Sequence, residues 1–171
     1  MTKGLMSFFS TLQYSITPSL QCRDFQERST NWKRIKNMTV EAQLKWTEGM
    51  QFIARAGKGP AVVLDSSDGG SGPSPMEMVL IGVAGCSAID VIMIMEKKRA
   101  QVTGFQINIT GERAEEYPKR YTDIQIEFVL HGKDIKPKAV EQAIQLSETK
   151  YCGAMASLNA AFKTTYRIVD A

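Results

Sequence analysis

One stretch of this chain is apolar on nearly every side, which is the pattern of a helix that its surroundings enclose. It begins at Pro75 and runs to about Arg99, and the 12 residues between Glu77 and Asp90 carry no charge. Ser74 suits the N-cap position, proline suits the first helical position, and Glu77 complements the helix dipole. Because a membrane span needs about 20 apolar residues, this shorter run predicts a buried core helix.

Two glycines, Gly82 and Gly85, lie inside this predicted helix. A glycine in a helix interior costs roughly 1 kcal/mol relative to alanine, so another interaction must offset that cost. Because glycine has no side chain, it allows another backbone to come close. The pair therefore predicts the close approach of a second helix.

Alternating apolar residues on both sides of the helix predict strands. Three strands precede it (38–46, 50–56 and 60–65) and form an antiparallel meander. Two strands follow it (102–110 and 121–130), then a helix that opens at Pro137 and a last strand over 162–169. The order βββ-α-ββ-α-β indicates an α+β fold.

The chain divides near Met38. Residues 1–37 carry six basic and two acidic side chains, a net charge of +4, which leaves −1 of the total +3 for residues 38–171. The larger part therefore gives no electrostatic reason to bind nucleic acid. We predict that residues 1–37 are an N-terminal extension, disordered or outside the fold, and that residues 38–171 form the domain. In the alternative, Met38 is the true start of the protein.

Three cysteines and one histidine limit the chemistry open to this chain. The cysteines are 64 and 66 residues apart, unlike a disulfide framework, and the sequence has no Cys-x-x-Cys for a zinc cluster. We therefore predict free thiols in a reducing cytoplasm, with no metal and no cofactor. Residues 5–20 are a poor secretory signal, because hydroxyl side chains interrupt the apolar run and no cleavage site follows.

Cys86 and Cys152 have the two most distinctive surroundings. Cys86 lies among small residues of the core helix, and Cys152 follows the second helix in Ser147-Glu-Thr-Lys-Tyr-Cys-Gly-Ala154. A cysteine on an apolar helix is often an inert core residue. The alternative is a reactive thiol pair, which is the simplest chemistry that the composition allows.

The passage Gly72-Pro-Ser-Pro-Met-Glu-Met-Val-Leu80, followed by Gly85-Cys86 and by a second cysteine 66 residues later, resembles the OsmC/Ohr family of thiol-dependent organic hydroperoxide reductases. The resemblance covers residues 38–171. It implies an OsmC-like fold, in which antiparallel sheets wrap around a long central helix. It also implies an intertwined homodimer with each active site at the subunit interface.

The resemblance implies roles for particular residues. Cys86 corresponds to the thiol that attacks the peroxide, and Cys152 to the resolving thiol. Arg55, the only arginine between residues 35 and 98, is the candidate for the family's thiolate-stabilising arginine. Arg113 is the alternative.

The family's catalytic glutamate directly follows the helix proline, where this chain has Met76. Glu77 comes one place later and is our candidate for that role, although one residue turns a helical side chain by about 100°.

The implied substrate is an organic hydroperoxide, and the implied reductant is an external dithiol of the lipoyl type. An apolar lining predicts an alkyl or lipid hydroperoxide. The lining residues are Met78, Ile81, Val83 and Ile89.

Two other classes of function stay open. Met76 at the glutamate position favours a non-catalytic OsmC-like dimer that binds an apolar small molecule at the subunit interface. The basic residues 1–37 would suit an interaction protein. Neither nucleic acid nor membrane is an expected partner.

Overall fold

The computed structural model describes residues 39–57 and 59–170. The elements are β1 (Ala42–Glu48), β2 (Gln51–Ala56), β3 (Val62–Leu64), α1 (Pro75–Lys97), β4 (Gln101–Arg113), β5 (Tyr121–Lys133), α2 (Pro137–Leu146), a π-helical turn (Ser147–Tyr151), α3 (Gly153–Ala156) and β6 (Ala161–Val169). The predicted order is confirmed, and a π turn and a short third helix follow α2. Residues 1–37, with the predicted extension and Cys22, lie outside the described residues.

The first sheet is the predicted antiparallel meander of β1, β2 and β3. Leu44 pairs with Ala54, Ala54 with Val62, and Trp46 with Phe52, so these apolar side chains share one face. Every residue of β1 is exposed, and Trp46 is 61% exposed. Among the residues that the structure describes, the buried core takes no side chain from this sheet. The protomer therefore leaves the apolar face of its first sheet largely uncovered.

The second sheet consists of β4, β5 and β6, with β5 in the middle. β4 is antiparallel to β5, whereas β6 is parallel to β5. The expected fold has antiparallel sheets, and the pairing of β6 departs from that expectation. The connection explains it, because α2, the π turn and α3 form a helical crossover, and such a crossover joins parallel strands.

The core lies between the second sheet and the helices. Four alternating side chains of the central strand are almost completely buried: Ile124, Ile126, Phe128 and Leu130. α1 packs against β4 and α2, and it buries Val83, Ser87, Val91 and Met95 on one face. The prediction of a central core helix therefore holds for this face of α1.

The opposite face of α1 is apolar but uncovered. Ile81, Ile89 and Met93 are 51%, 63% and 49% exposed. Beside them, no atom other than those of the adjacent helix backbone and chain neighbours lies within 4 Å of the place where a side chain on Gly82 or Gly85 would begin. The helix contact that these glycines predict is therefore not made within the protomer. By length and composition alone, α1 would also suffice to cross a membrane, with a mean hydropathy of 2.3.

Candidate active site

The start of α1 is held by a capping box between Ser74 and Glu77, as the sequence around Pro75 predicts. The Glu77 N–H donates to Ser74 Oγ at 3.3 Å, and the Glu77 carboxylate accepts from the Ser74 N–H and hydroxyl, both at 2.7 Å. These hydrogen bonds lower the pKa of the Glu77 carboxyl. Glu77 lies nine residues before Cys86, about half a turn away around the helix. Its carboxylate therefore points away from Cys86 within the protomer, and its catalytic role stays a prediction.

Cys86 and Asp90 lie one helical turn apart on α1, so their side chains are neighbours on the helix surface. Both residues are half-buried. They lie at the border between the buried face of α1 and its uncovered apolar face. The Cys86 thiol is therefore the accessible member of the cysteine pair.

Cys152 is positioned by the π turn. Its N–H donates to the Ser147 carbonyl, five residues earlier, at 2.8 Å, which is the hydrogen bond of a π-type ring. Cys152 then caps α3, where its Sγ accepts from the Met155 N–H at 3.5 Å. Only 3% of Cys152 is exposed. The turn therefore ends with the thiol facing the protein interior.

The structure brings Cys86, Asp90 and Cys152 together. The two Sγ atoms and a carboxylate oxygen of Asp90 all lie within 4.8 Å of one another. Since the S–S bond of a disulfide is about 2.05 Å long, closing the pair requires a shift of less than about 3 Å. Side-chain rotation with a small backbone adjustment can produce a shift of this size.

Two buried serines contact this cluster through their hydroxyl groups. Ser87 Oγ lies 3.4 Å from Cys152 Sγ and donates to the Met155 Sδ at 3.5 Å. The Ser147 hydroxyl donates to Asp90 Oδ2 at 3.0 Å. The cluster is therefore held by hydrogen bonds from both α1 and the π turn.

The pKa of the Cys152 thiol is raised, chiefly because it is buried. Hydrogen bonds from Ser87 and the Met155 N–H act in the opposite direction, and the neighbouring Cys86 raises the pKa further. The sheltered Cys152 thiol is therefore held protonated at neutral pH. This fits a thiol that reacts second.

The two arginines predicted for the site lie on the sheets, and the predicted apolar lining lies on α1. Arg55 is exposed on β2, paired with Gln43 in the first sheet. Arg113 ends β4, and its Nε donates to the Lys119 carbonyl at 2.8 Å. The role of either arginine at the thiolate stays a prediction. The predicted apolar lining is divided between two faces of α1, since Val83 is buried while Ile81 and Ile89 are exposed.

Sequence reasoning did not find Asp90, Ser87 or Ser147 as members of the site. Helical spacing was a usable signal for Asp90, because it follows Cys86 by one turn. Ser87 gave no signal of that kind, because adjacent residues of a helix do not face each other. Ser147 gave no such signal, because it meets Asp90 only through the tertiary packing of α1 against the π turn.

Comparison with known proteins identifies the family. The family model for OsmC-like protein matches residues 68–167, which include both cysteines of the cluster. The chain belongs to the OsmC-like family. The resemblance inferred from Gly72–Leu80 and the two cysteines is thus confirmed.

Protein YhfA of Escherichia coli strain K12 is 40% identical to this OsmC-like chain over 134 residues, 77% of the chain and all of YhfA. A hypothetical protein from Aquifex aeolicus VF5 has a crystal structure that is 31% identical, with a TM-score of 0.72 over 79% of the chain and 99% of that protein. The organic hydroperoxide resistance protein OhrB of Bacillus subtilis is 13% identical, with a TM-score of 0.52 over 75% and 98%. OhrB therefore shares the fold.

Proposed function

We propose that this OsmC-like protein reduces organic hydroperoxides to alcohols through Cys86 and Cys152. The observation that carries the proposal is the approach of an accessible and a sheltered sulfur to within 4.8 Å. OhrB, which shares the fold, is named as an organic hydroperoxide resistance protein. We take the cytoplasm as the compartment, because the reaction needs both thiols reduced at the start.

The first step is the attack of the Cys86 thiolate on the distal oxygen of the hydroperoxide. The O–O bond breaks, the alkoxide takes a proton and leaves as the alcohol, and Cys86 becomes a sulfenic acid. Cys86 is suited to this step because it is half-buried, at the edge of an apolar helix face. That face would favour an alkyl or lipid hydroperoxide over hydrogen peroxide.

The second step joins the two sulfurs. The Cys152 thiol attacks the sulfenic sulfur, its proton leaves with the hydroxyl group as water, and a Cys86–Cys152 disulfide forms. An external dithiol, of the lipoyl type or similar, then reduces the disulfide in two exchange steps and becomes a disulfide itself. The sheltered position of Cys152 keeps it from reacting with peroxide before Cys86 does.

The proposal assigns stabilisation of the Cys86 thiolate to Arg55. A thiol beside apolar surface needs a nearby positive charge if its thiolate is to form at neutral pH. Arg55 lies on the first sheet, which contributes nothing to the core among the described residues. A sheet so placed is available to cover a site on another subunit.

The proposal includes a homodimer. The uncovered face of α1 has two glycines that would let a second helix approach closely, and the first sheet has an uncovered apolar face. Large contiguous apolar surfaces of this kind mark interfaces. In an intertwined pair, the two α1 helices would pack together and each first sheet would cover the other protomer.

One observation favours a second candidate function. Met76 stands at the position of the family's glutamate, and its carbonyl accepts from the Tyr121 hydroxyl at 2.8 Å. Without that glutamate, the same dimer would bind an apolar small molecule at the subunit interface. Two clefts of about 250 and 270 Å³ in the described part of one protomer include neither cysteine. In this candidate function the ligand site beside Cys86 would include the second subunit.

The experiment is a thiol count after exposure to stoichiometric cumene hydroperoxide. Cys22→Ser protein serves as the starting point, so that only the paired cysteines report. The proposal expects the loss of two thiols, a mass decrease of about 2 Da, and a sulfenic acid that can be trapped only in Cys152→Ser. Thiols that survive excess peroxide would refute it and favour the binding function.

A further inference from the structure

We infer that Cys86, Asp90 and Cys152 together form a binding site for a thiophilic divalent cation of the Zn²⁺ class in the reduced protein. The site uses the same thiols as the proposed peroxidase but does not require that reaction. Short-range Cys and His spacing does not reveal this site, because its ligands come from α1 and from the end of the π turn, 66 residues later.

The geometry of the three ligand atoms carries the inference. Two sulfurs and one carboxylate oxygen converge within 4.8 Å of one another. Zn–S and Zn–O bonds of about 2.3 and 2.1 Å place the ligand atoms of a tetrahedral site slightly less than 4 Å apart. The cluster therefore reaches this spacing with small side-chain movements.

The chemistry of the ligands selects the class of cation. Thiolate ligands favour soft or borderline ions such as Zn²⁺, whereas Mg²⁺ and Ca²⁺ require oxygen ligands. Three protein ligands leave a fourth position for water or an exogenous ligand. Since Cys86 and Asp90 are both half-buried, that position would open toward the uncovered side of α1.

The serines form the outer shell that such a site needs. The Ser147 hydroxyl donates to Asp90 Oδ2 at 3.0 Å and so fixes the rotation of the carboxylate. Ser87 Oγ lies 3.4 Å from Cys152 Sγ and would turn its one proton from the Met155 Sδ to a bound thiolate. Ligands held by hydrogen bonds in this way are typical of metal sites.

Metal binding would regulate the thiols. A cation bound to both sulfurs removes them from reaction with peroxide, and a Cys86–Cys152 disulfide removes two of the three ligands. The metal-bound and oxidised states therefore exclude each other. We expect Zn²⁺ to block thiol oxidation and a chelator to restore it.

The test uses Co²⁺ as a spectroscopic replacement for Zn²⁺. Full-length Cys22→Ser protein, reduced and freed of metal, is titrated with Co²⁺ without oxygen, and Zn²⁺ affinity is then measured by competition with a chromophoric chelator. Tetrahedral thiolate coordination gives a near-ultraviolet charge-transfer band and intense visible bands. Glu96→Gln, at an exposed carboxylate of the same helix, is the matched control.

We expect one Co²⁺ per protomer, with a charge-transfer band that is lost in Cys86→Ser and in Cys152→Ser. Loss of an outer-shell partner typically costs 10–100-fold in affinity, so Ser147→Ala should bind Zn²⁺ about tenfold more weakly. Asp90→Asn removes a ligand itself and should bind Zn²⁺ at least about 100-fold more weakly. Glu96→Gln should bind as the parent does. Reversible blocking of the parent thiols by methanethiosulfonate should abolish the band without any substitution at the site.

A reduced parent without the band would overturn the inference, as would a band that persists in either cysteine variant. Unchanged affinity in folded Asp90→Asn would overturn the three-ligand site. Peroxide consumption by the metal-free protein is measured separately. A protein that binds Co²⁺ but does not consume peroxide refutes only the proposed function, and the reverse result refutes only the metal site.

Discussion

Ser87 Oγ lies 3.4 Å from Cys152 Sγ, a contact that joins the central helix to a residue 65 positions later. Ser87 is completely buried, so water does not compete for this hydrogen bond. The helix that presents Cys86 thus also sets the electrostatic surroundings of Cys152.

Ser87→Ala should raise the pKa of the Cys152 thiol further, because the Ser87 hydroxyl is one of two hydrogen-bond partners that lower it. The measurement is the pH dependence of Cys152 alkylation in a Cys22→Ser, Cys86→Ser background. Ser157→Ala, at an exposed serine that donates to the Gly153 carbonyl, is the control. An alkylation midpoint that does not move would show that the Ser87 contact has no influence on the thiol.

The raised pKa of Cys152 also predicts how stability changes with pH. The folded state holds the thiol proton more tightly than the unfolded state, so this contribution is complete below the unfolded pKa of about 8.5 and is lost as pH rises through the folded value. The free energy of unfolding, measured in urea with reductant, should therefore fall more steeply above about pH 8.5 in the parent than in Cys152→Ala. Equal slopes would contradict the raised pKa.

The capping box predicts separate effects of Ser74 and Glu77. Ser74→Ala should destabilise the protein by about 1 kcal/mol. Because the pKa of Glu77 is lowered in the folded state, its contribution is present above the unfolded pKa of about 4.3 and is lost as pH falls through the folded value. The free energy of unfolding of Glu77→Gln, measured by urea denaturation, should accordingly be lower than that of the parent at neutral pH. The difference should disappear in acid.

The same Glu77→Gln variant tests the catalytic role predicted for this residue. If Glu77 acts only at the helix start, the rate of peroxide reduction per folded protomer should match that of Glu96→Gln. A loss of 100-fold or more, on the order expected for a missing general acid or base, would support the catalytic role.

The uncovered face of α1 predicts that Ile89→Lys weakens self-association. A lysine there would bury its charge between two helices, which is costly without a partner. Light scattering should give a dimer mass for the parent and a monomer mass for the variant. Thr103→Lys, at an exposed position of β4, should keep the parent mass. A dimer that tolerates Ile89→Lys would place the interface elsewhere.

Local signals predicted most of the fold correctly. Ser74, Pro75 and Glu77 fixed the start of α1 to the residue, because capping depends on groups within one turn. The direction of β6 was not predictable from such signals, because residues 162–169 would alternate in the same way in a parallel or an antiparallel strand. Only the crossover through α2 and α3 decides the direction.

The site was predictable only in part, for a similar reason. The surroundings of Cys86 and Cys152 drew attention to both residues, and the family resemblance paired them. Asp90 was noted as the end of an uncharged run, but its relation to Cys152 depends on how α1 packs against the π turn. Contacts between distant segments have no local pattern that would reveal them.

The π turn absorbs one extra residue ahead of Cys152. Its ring reaches the Ser147 carbonyl across five residues, whereas an α-helical ring spans four. The two kinds of ring end at nearly the same direction around the helix axis, so deleting one residue from Ser147–Tyr151 would leave the next side chain facing Ser87. Segment length is therefore a poor character for sorting relatives: a homologue that is one residue shorter here and retains both cysteines would keep the thiol pairing, whereas one with a serine in place of Cys152 would have lost the sulfur.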